Sequence, residues 1–307
     1  MKRILIILSL CVYAVITFAQ TIDSADLKVL RSKEDSLKYF SYLMINSEDP
    51  GERLRCDSHF IKIMVRALKI KNSFDFAFDS LQTISRLVAP DSSFRIFTWH
   101  LMKDENYCRQ KGVIQMKTTD GSMKIYPLRD VSEFTDQAID TIANHGGWIG
   151  AIYYRMIQKE YQGKKYYTLI GFDEHNARAT RKWIDVLSFD DRNEPVLGLK
   201  NGFSYAEDSI PRPSQNRFLL EYKNDGRARV QFDEEMDMIL FDHLISETNE
   251  PEKKYTLIPD GDYEGFVWKN GQWMHIDKVF KQKLEDGQAP MPMPFKDKEP
   301  VAPKGIP

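Results

Sequence analysis

The sequence predicts an α+β fold: a small N-terminal helical subdomain followed by a larger domain of antiparallel β-meanders. Three observations carry this reading. Apolar residues recur at helical spacing from Ser24 to about Leu87, and they alternate from Phe94 onward. Turn chemistry, rather than crossover helices, separates most of the alternating runs, which excludes a sheet built from parallel βαβ units. With 42% hydrophobic and 29% charged residues over 307 positions, the chain has room for one sizeable core or two smaller ones. Its 43 Lys and Arg against 45 Asp and Glu leave a net charge of −2, so it lacks the positive field that attracts nucleic-acid backbones. No nucleic acid is expected among its partners.

The N-terminus is the most informative segment. Met1-Lys2-Arg3 is cationic, and Ile4 to Phe18 is apolar but shorter than the ~20 residues a bilayer span needs. Thr17 and Ala19 place small residues three positions and one position before Gln20. Together these are the three regions of a signal peptide over residues 1–19. Cys11 follows Leu10 inside the apolar run and lacks the small preceding neighbour that lipidation requires. The expected location is therefore periplasmic or extracellular, with no transmembrane span in the mature chain. Cleavage removes Lys2 and Arg3 and no acid, leaving a mildly acidic protein with Cys56 and Cys108 in a compartment where disulfides persist. Cys56 lies in a helical pattern and Cys108 in a β pattern. A bridge would staple the two regions, while two separate buried thiols is the preferred reading.

In residues 20–91, Leu27, Leu30, Leu37, Phe40, Leu43 and Met44 mark one amphipathic helix. Phe60, Ile61, Met64, Val65 and Leu68 mark a second, and Asp49-Pro50 supplies its cap and first-turn proline. A third run covers Phe78 to Val88. The methionines and phenylalanines here read as packing residues rather than a ligand box.

Residues 92–285 hold the expected strands: Phe94 to Leu101, Tyr107 to Lys117, Met123 to Leu128, Trp148 to Gln158, Lys165 to Asp173, Lys182 to Asp190, Phe218 to Lys223, Arg227 to Phe232, Met236 to Leu244 and Tyr263 to His275. Asp120-Gly121, Asn224-Asp225-Gly226 and Asn270-Gly271 are hairpin signals. A helical interruption is expected over Val131 to Ile142, and a Gly- and Pro-containing connection over Glu194 to Gln215. The strands could close as a barrel, stack as a sandwich or form propeller-like blades. A short closing helix through Val279, Phe280 and Leu284 precedes residues 286–307, whose six prolines predict a disordered or polyproline-like tail.

Candidate chemistry rests on single residues. Asp242 and His243 are neighbours in a strand and point to opposite faces, so they form no dyad with each other. Asp260-Gly261-Asp262-Tyr263-Glu264-Gly265 opens like a calcium loop, but Gly271 stands where the closing bidentate Glu belongs, which favours a turn leading into a strand. His145-Gly146-Gly147-Trp148 and Asp173-Glu174-His175 each put an imidazole beside a turn. No GxSxG, HExxH or papain-type motif is present. Trp148, Trp183, Trp268 and Trp273 could stack on sugars if exposed. Trp268 and Trp273 flank the Asn270-Gly271 turn and read instead as a cross-strand pair.

The strings Phe94-Arg95-Ile96-Phe97-Thr98-Trp99, Tyr166-Tyr167-Thr168-Leu169-Ile170-Gly171-Phe172-Asp173 and Ile239-Leu240-Phe241-Asp242-His243-Leu244, with the span Gly261 to Trp273, resemble a family of exported bacterial proteins with no assigned activity. The resemblance covers most of the mature chain. It implies export and a helical-then-β layout, and brings no cofactor or catalytic residue.

The leading expectation is a non-enzymatic protein of the bacterial envelope whose β domain binds a partner protein or a small ligand. The alternative is a hydrolase of an envelope polymer or glycan, in which His145, Asp173, His175, Asp242 or His243 would converge from different strands. Neither a metal nor a cofactor is expected. The first prediction is a mature N-terminus at Gln20, read by mass spectrometry of protein from the periplasm or medium. An intact Met1, or a diacylglycerol adduct on Cys11, refutes it.

Overall fold

A computed structural model describes residues 21–280 apart from 105, 106 and 175. The expected signal peptide, the Pro-rich tail and His175 lie outside the described residues. Helix α1 (Ser24–Asn46) starts where the Asp23 carboxylate accepts the Ala25 N–H. Helix α2 (Pro50–Leu68) starts where Asp49 accepts the Gly51 N–H with Pro50 in the first turn. Neither is apolar enough along its length to cross a membrane, nor is any other helix among the described residues.

Two expected helices are absent. Phe78 has a left-handed backbone (φ 55°) that no helix accommodates, and Ser85–Val88 is a strand, β1. Burial of Phe78, Leu81 and Ile84 in the core under the helices outweighs their helical spacing. Val131 to Ile142 makes two single 3₁₀ turns, Ser132–Phe134 and Ala138–Asp140. Val279 and Phe280 are not in a helix, and the Val279 N–H donates to the Tyr263 carbonyl at 3.0 Å; Leu284 and the rest of the expected closing helix lie outside the described residues.

Strands β1, β2 (Phe94–Asp104), β3 (Tyr107–Met116) and β4 (Lys124–Leu128) form a first sheet in chain order, antiparallel throughout. The chain continues through β5 (Ala143–Asn144), β6 (Ile152–Tyr161), β7 (Lys164–Asp173), β8 (Ala179–Phe189) and β9 (Pro195–Leu197). Then come β10 (Phe203–Tyr205), β11 (Arg212–Gln215), β12 (Phe218–Lys223), β13 (Val230–Asp233), β14 (Met238–Ser246), β15 (Leu257–Lys269) and β16 (Gln272–Ile276). The second sheet has the order β5-β9-β8-β7-β6, with β12 also paired to β8; the third has the order β11-β10-β16-β15-β14-β13. Among the described residues no sheet closes on itself.

Alternation along each strand sends neighbouring side chains to opposite faces, and this stacks the three sheets. Phe94, Ile96, Ile114 and Met116 of the first sheet meet Tyr167, Leu169, Trp183 and Leu187 of the second. The second sheet's other face, with Ile170, Ile184, Val186 and Leu220, meets Phe203, Ile239, Phe241 and Phe266 of the third. The first sheet's outer face, with Phe97, Trp99, Leu101 and Val113, takes the helices. The layers are thus helices, sheet, sheet, sheet.

The turn at Asn270-Gly271 behaves as expected: φ values of 53° and 80° close β15 onto β16, and Trp268 lies opposite Trp273 with ring centroids 5.3 Å apart. Asn224-Asp225-Gly226 does not make a hairpin. It carries the chain from β12 in the second sheet to β13 in the third. The sheets also contain one parallel pair, β10 with β16, where purely antiparallel pairing was expected.

An ion pair is sealed into the second sheet. Arg217 Nη1 donates to Asp185 Oδ2 at 2.8 Å, with side chains 1% and 3% exposed. Arg217 also donates to the carbonyls of Thr141 (3.2 Å) and Leu197 (3.0 Å). The Tyr153 hydroxyl reaches the same Asp185 oxygen at 3.4 Å, and itself accepts from Trp148 Nε1 at 2.8 Å. Burial pushes the Asp185 carboxyl up and Arg217 pulls it back. Arg217→Met leaves that carboxylate buried and unpaired, and should lower unfolding stability by about 3–5 kcal/mol in denaturant titrations. Adding Asp185→Leu should restore most of the loss.

Candidate ligand groove

The outer face of the first sheet changes character along its strands. Register places Phe97 opposite Val113, Trp99 opposite Lys111 and Leu101 opposite Arg109. Lys103 continues the row on β2, and Arg129, just past the end of β4, falls level with Lys111. At Phe97 and Val113 this face is wholly apolar, and further along it Lys111 and Arg109 stand across from Trp99 and Leu101, with Lys103 and Arg129 adding two more cations.

Helix α2 lies along the same gradient. At its N-terminal end Asp57 is ion-paired with Lys111, and Arg53 donates to the Lys103 carbonyl at 3.3 Å. At its C-terminal end the Leu68 carbonyl accepts from Ser73, which in turn holds Gln115 and Arg95. Between helix and sheet lies a cavity of about 540 Å³, within the ~300–1,000 Å³ range of small-molecule sites. Its walls are Ile61, Met64, Val65 and Leu68 on the helix, and Trp99, Leu101, Val113 and Ile125 on the sheet, with the cations at one end. Leu54 and Ile61 leave an apolar lip, 48% and 36% exposed.

Two residues lining this cavity carry buried polar atoms without a partner: Trp99 Nε1 and Asp57 Oδ1. Buried polar groups are nearly always satisfied, and leaving one unmade costs roughly 1–3 kcal/mol. The groove thus combines apolar walls with a cationic end, and two of its lining residues carry buried polar atoms that the fold leaves unpartnered.

The residues singled out from sequence are not brought together there. His145 Nδ1 contacts the Pro127 carbonyl at 2.9 Å. Asp173 accepts from Gln110 Nε2 at 2.5 Å. Asp242 is buried and accepts the Arg229 N–H at 2.7 Å, while His243 on the opposite face contacts Asp260 at 2.8 Å. Trp148, Trp183 and Trp273 are buried and Trp268 is partly buried, so the four tryptophans form no sugar-stacking surface. Cys56 and Cys108 are free. Burial, then the neighbouring Glu174, pushes the Cys108 thiol up to about 12, which keeps it protonated.

The acids that read like a calcium loop lie on β15, not in a turn, and each has a cationic or imidazole partner: Asp260 with His243, Asp262 with Lys278, Glu264 with His275. Among the described residues no group of three or more His, Cys, Asp and Glu side chains is arranged to hold a metal.

Sequence reasoning missed a second buried cluster. His275, 1% exposed at its side chain, sits between Asp208 on Nδ1 (2.8 Å) and Glu264 on Nε2 (2.7 Å). Asp208 also pairs with Arg212 at 3.1 Å, and Glu264 lies 3.8 Å from His243. The cluster ties the chain between β10 and β11 to β15 and β16. Glu264 stands across the Asn270-Gly271 hairpin from His275, but Asp208 is 67 positions away, so nothing local announces that contact. The groove cations were missed for the same reason.

Comparison of the chain with protein-family models, curated proteins and solved structures finds no match.

Burial opposes charge on His275, but its two carboxylate partners outweigh it and raise its pKa above the ordinary 6.5. A raised histidine pKa contributes stability that is complete below the unfolded value and is lost as pH rises through the folded one. The melting temperature should therefore fall as pH rises from about 6 to 9. His275→Gln should flatten that profile in melts followed by circular dichroism.

Proposed function

We propose that the chain is an exported, non-enzymatic binding protein of the bacterial envelope, and that the groove between α2 and the first sheet takes a small ligand with an apolar body. The groove itself carries this reading: an apolar cavity of about 540 Å³ with an unpartnered indole N–H and carboxylate oxygen among its lining residues. The cationic start, short apolar run and small residues of positions 1–19 support export. A hydrolase would need several catalytic candidates in one cleft, and His145, Asp173, Asp242 and His243 each have a different partner: the Pro127 carbonyl, Gln110, the Arg229 N–H and Asp260. The groove also enlists α2, whose apolar residues read in sequence as packing alone.

An uncharged fluorescent probe, N-phenyl-1-naphthylamine, tests the proposal. Saturable enhancement is expected with the mature protein. Val65→Asp places a charge in the apolar wall and should weaken binding at least tenfold without changing the melting temperature, since Val65 is only half-buried. Enhancement that is absent, or indifferent to Val65→Asp, overturns the reading.

A further inference from the structure

We infer that the ligand of this groove is an acyl-chain amphiphile with an anionic head, the head at Lys103, Arg109 and Arg129 and the chain running under α2 toward Leu68. The inference rests on the groove being a ligand site and goes on to name the ligand's chemistry. The groove is polarised: the walls toward Val113 and Leu68 offer only hydrocarbon, and the other end concentrates charge of one sign.

The charge at that end is only partly matched. Two acids line the cavity. Asp57 is paired with Lys111, and Asp130 is turned to the backbone N–H groups of Ser132 (2.9 Å) and Gly150 (3.1 Å). Glu133 is engaged by the Tyr107 hydroxyl. The remaining cations have no carboxylate partner among the described residues. Arg109 donates to the Asp130 carbonyl at 3.4 Å, Lys103 lies 5.2 Å from the centre of the Tyr107 ring, and Arg129 is exposed.

Arginine presents a planar fork suited to a carboxylate or a phosphate, and both heads share this chemistry. An anionic head on an apolar chain meets the cations and the hydrocarbon walls together. A cationic amphiphile meets repulsion, and a neutral one leaves the charges unmatched.

The test is displacement of bound N-phenyl-1-naphthylamine from the mature protein by amphiphiles of equal chain length at low ionic strength. Laurate, or a lauroyl lysophosphatidylglycerol, should displace the probe at a concentration at least tenfold below that of dodecanol, with dodecyltrimethylammonium weakest. The better of the two anions tells a free carboxylate from a phosphate headgroup. Shortening the chain should weaken displacement by roughly fourfold per methylene, and salt should narrow the gap between anion and alcohol. In Arg109→Ala/Arg129→Ala, two substitutions at partly or fully exposed positions that leave only Lys103, the anion should lose most of its advantage over the alcohol. If dodecanol matches both anions in the unaltered protein, or the double variant keeps the preference, the anionic head is refuted while the groove stands. If the probe never binds, the groove reading fails first.

Discussion

The Arg217–Asp185 pair is the constraint on which the rest of the architecture depends. A guanidinium cannot shed its charge, so at 1% exposure it has to be met by acceptors from every direction. Asp185 comes from β8, the Thr141 carbonyl from the segment before β5, and the Leu197 carbonyl from the end of β9. Arg217 itself immediately precedes β12. Three chain segments lying 20 to 76 positions before Arg217 therefore have to be in place around it together. The second sheet, with both faces buried, takes its arrangement around that point.

Because the second sheet is covered on both sides, the first sheet can give one face to it and the other to the helices. The outer face is where the molecule keeps an opening. Helix α2 packs through Phe60 and Met64 but does not seal the sheet beyond Leu101, where the side chains become cationic. Hydrocarbon joins helix to sheet at one end, and at the other Lys103, Arg109 and Arg129 have no carboxylate partner among the described residues.

The two charge clusters differ in the same terms. Around His275 each ring nitrogen faces its own carboxylate, and the next charged group, Arg212, completes the account on Asp208. That cluster is closed and acts within the fold, holding β10 and β11 to the edge of the third sheet. The groove cluster is open, with more cations than acids among its lining residues. The closed cluster is satisfied within the fold, whereas the open one borders an apolar cavity.

What the sequence determined by itself was set by local rules. Asp23 and Asp49-Pro50 start the helices because a cap and a first-turn proline act within a few residues. Asn270-Gly271 makes its hairpin because both residues tolerate positive φ. Alternation sends Asp242 and His243 to opposite faces. Tertiary structure decided the rest, for reasons no local pattern contains. Phe78 to Val88 has helical spacing, yet burying Phe78 under the helices and pairing Ser85–Val88 with β2 outweighs it. Asn224-Asp225-Gly226 has hairpin chemistry, but β12 pairs better with β8 than with the strand that follows. Lys103, Lys111 and Arg129 are ordinary surface cations in the sequence. They become one end of a groove only because antiparallel register sets Trp99 opposite Lys111 and Leu101 opposite Arg109, a relation fixed by pairing across strands rather than by spacing along the chain.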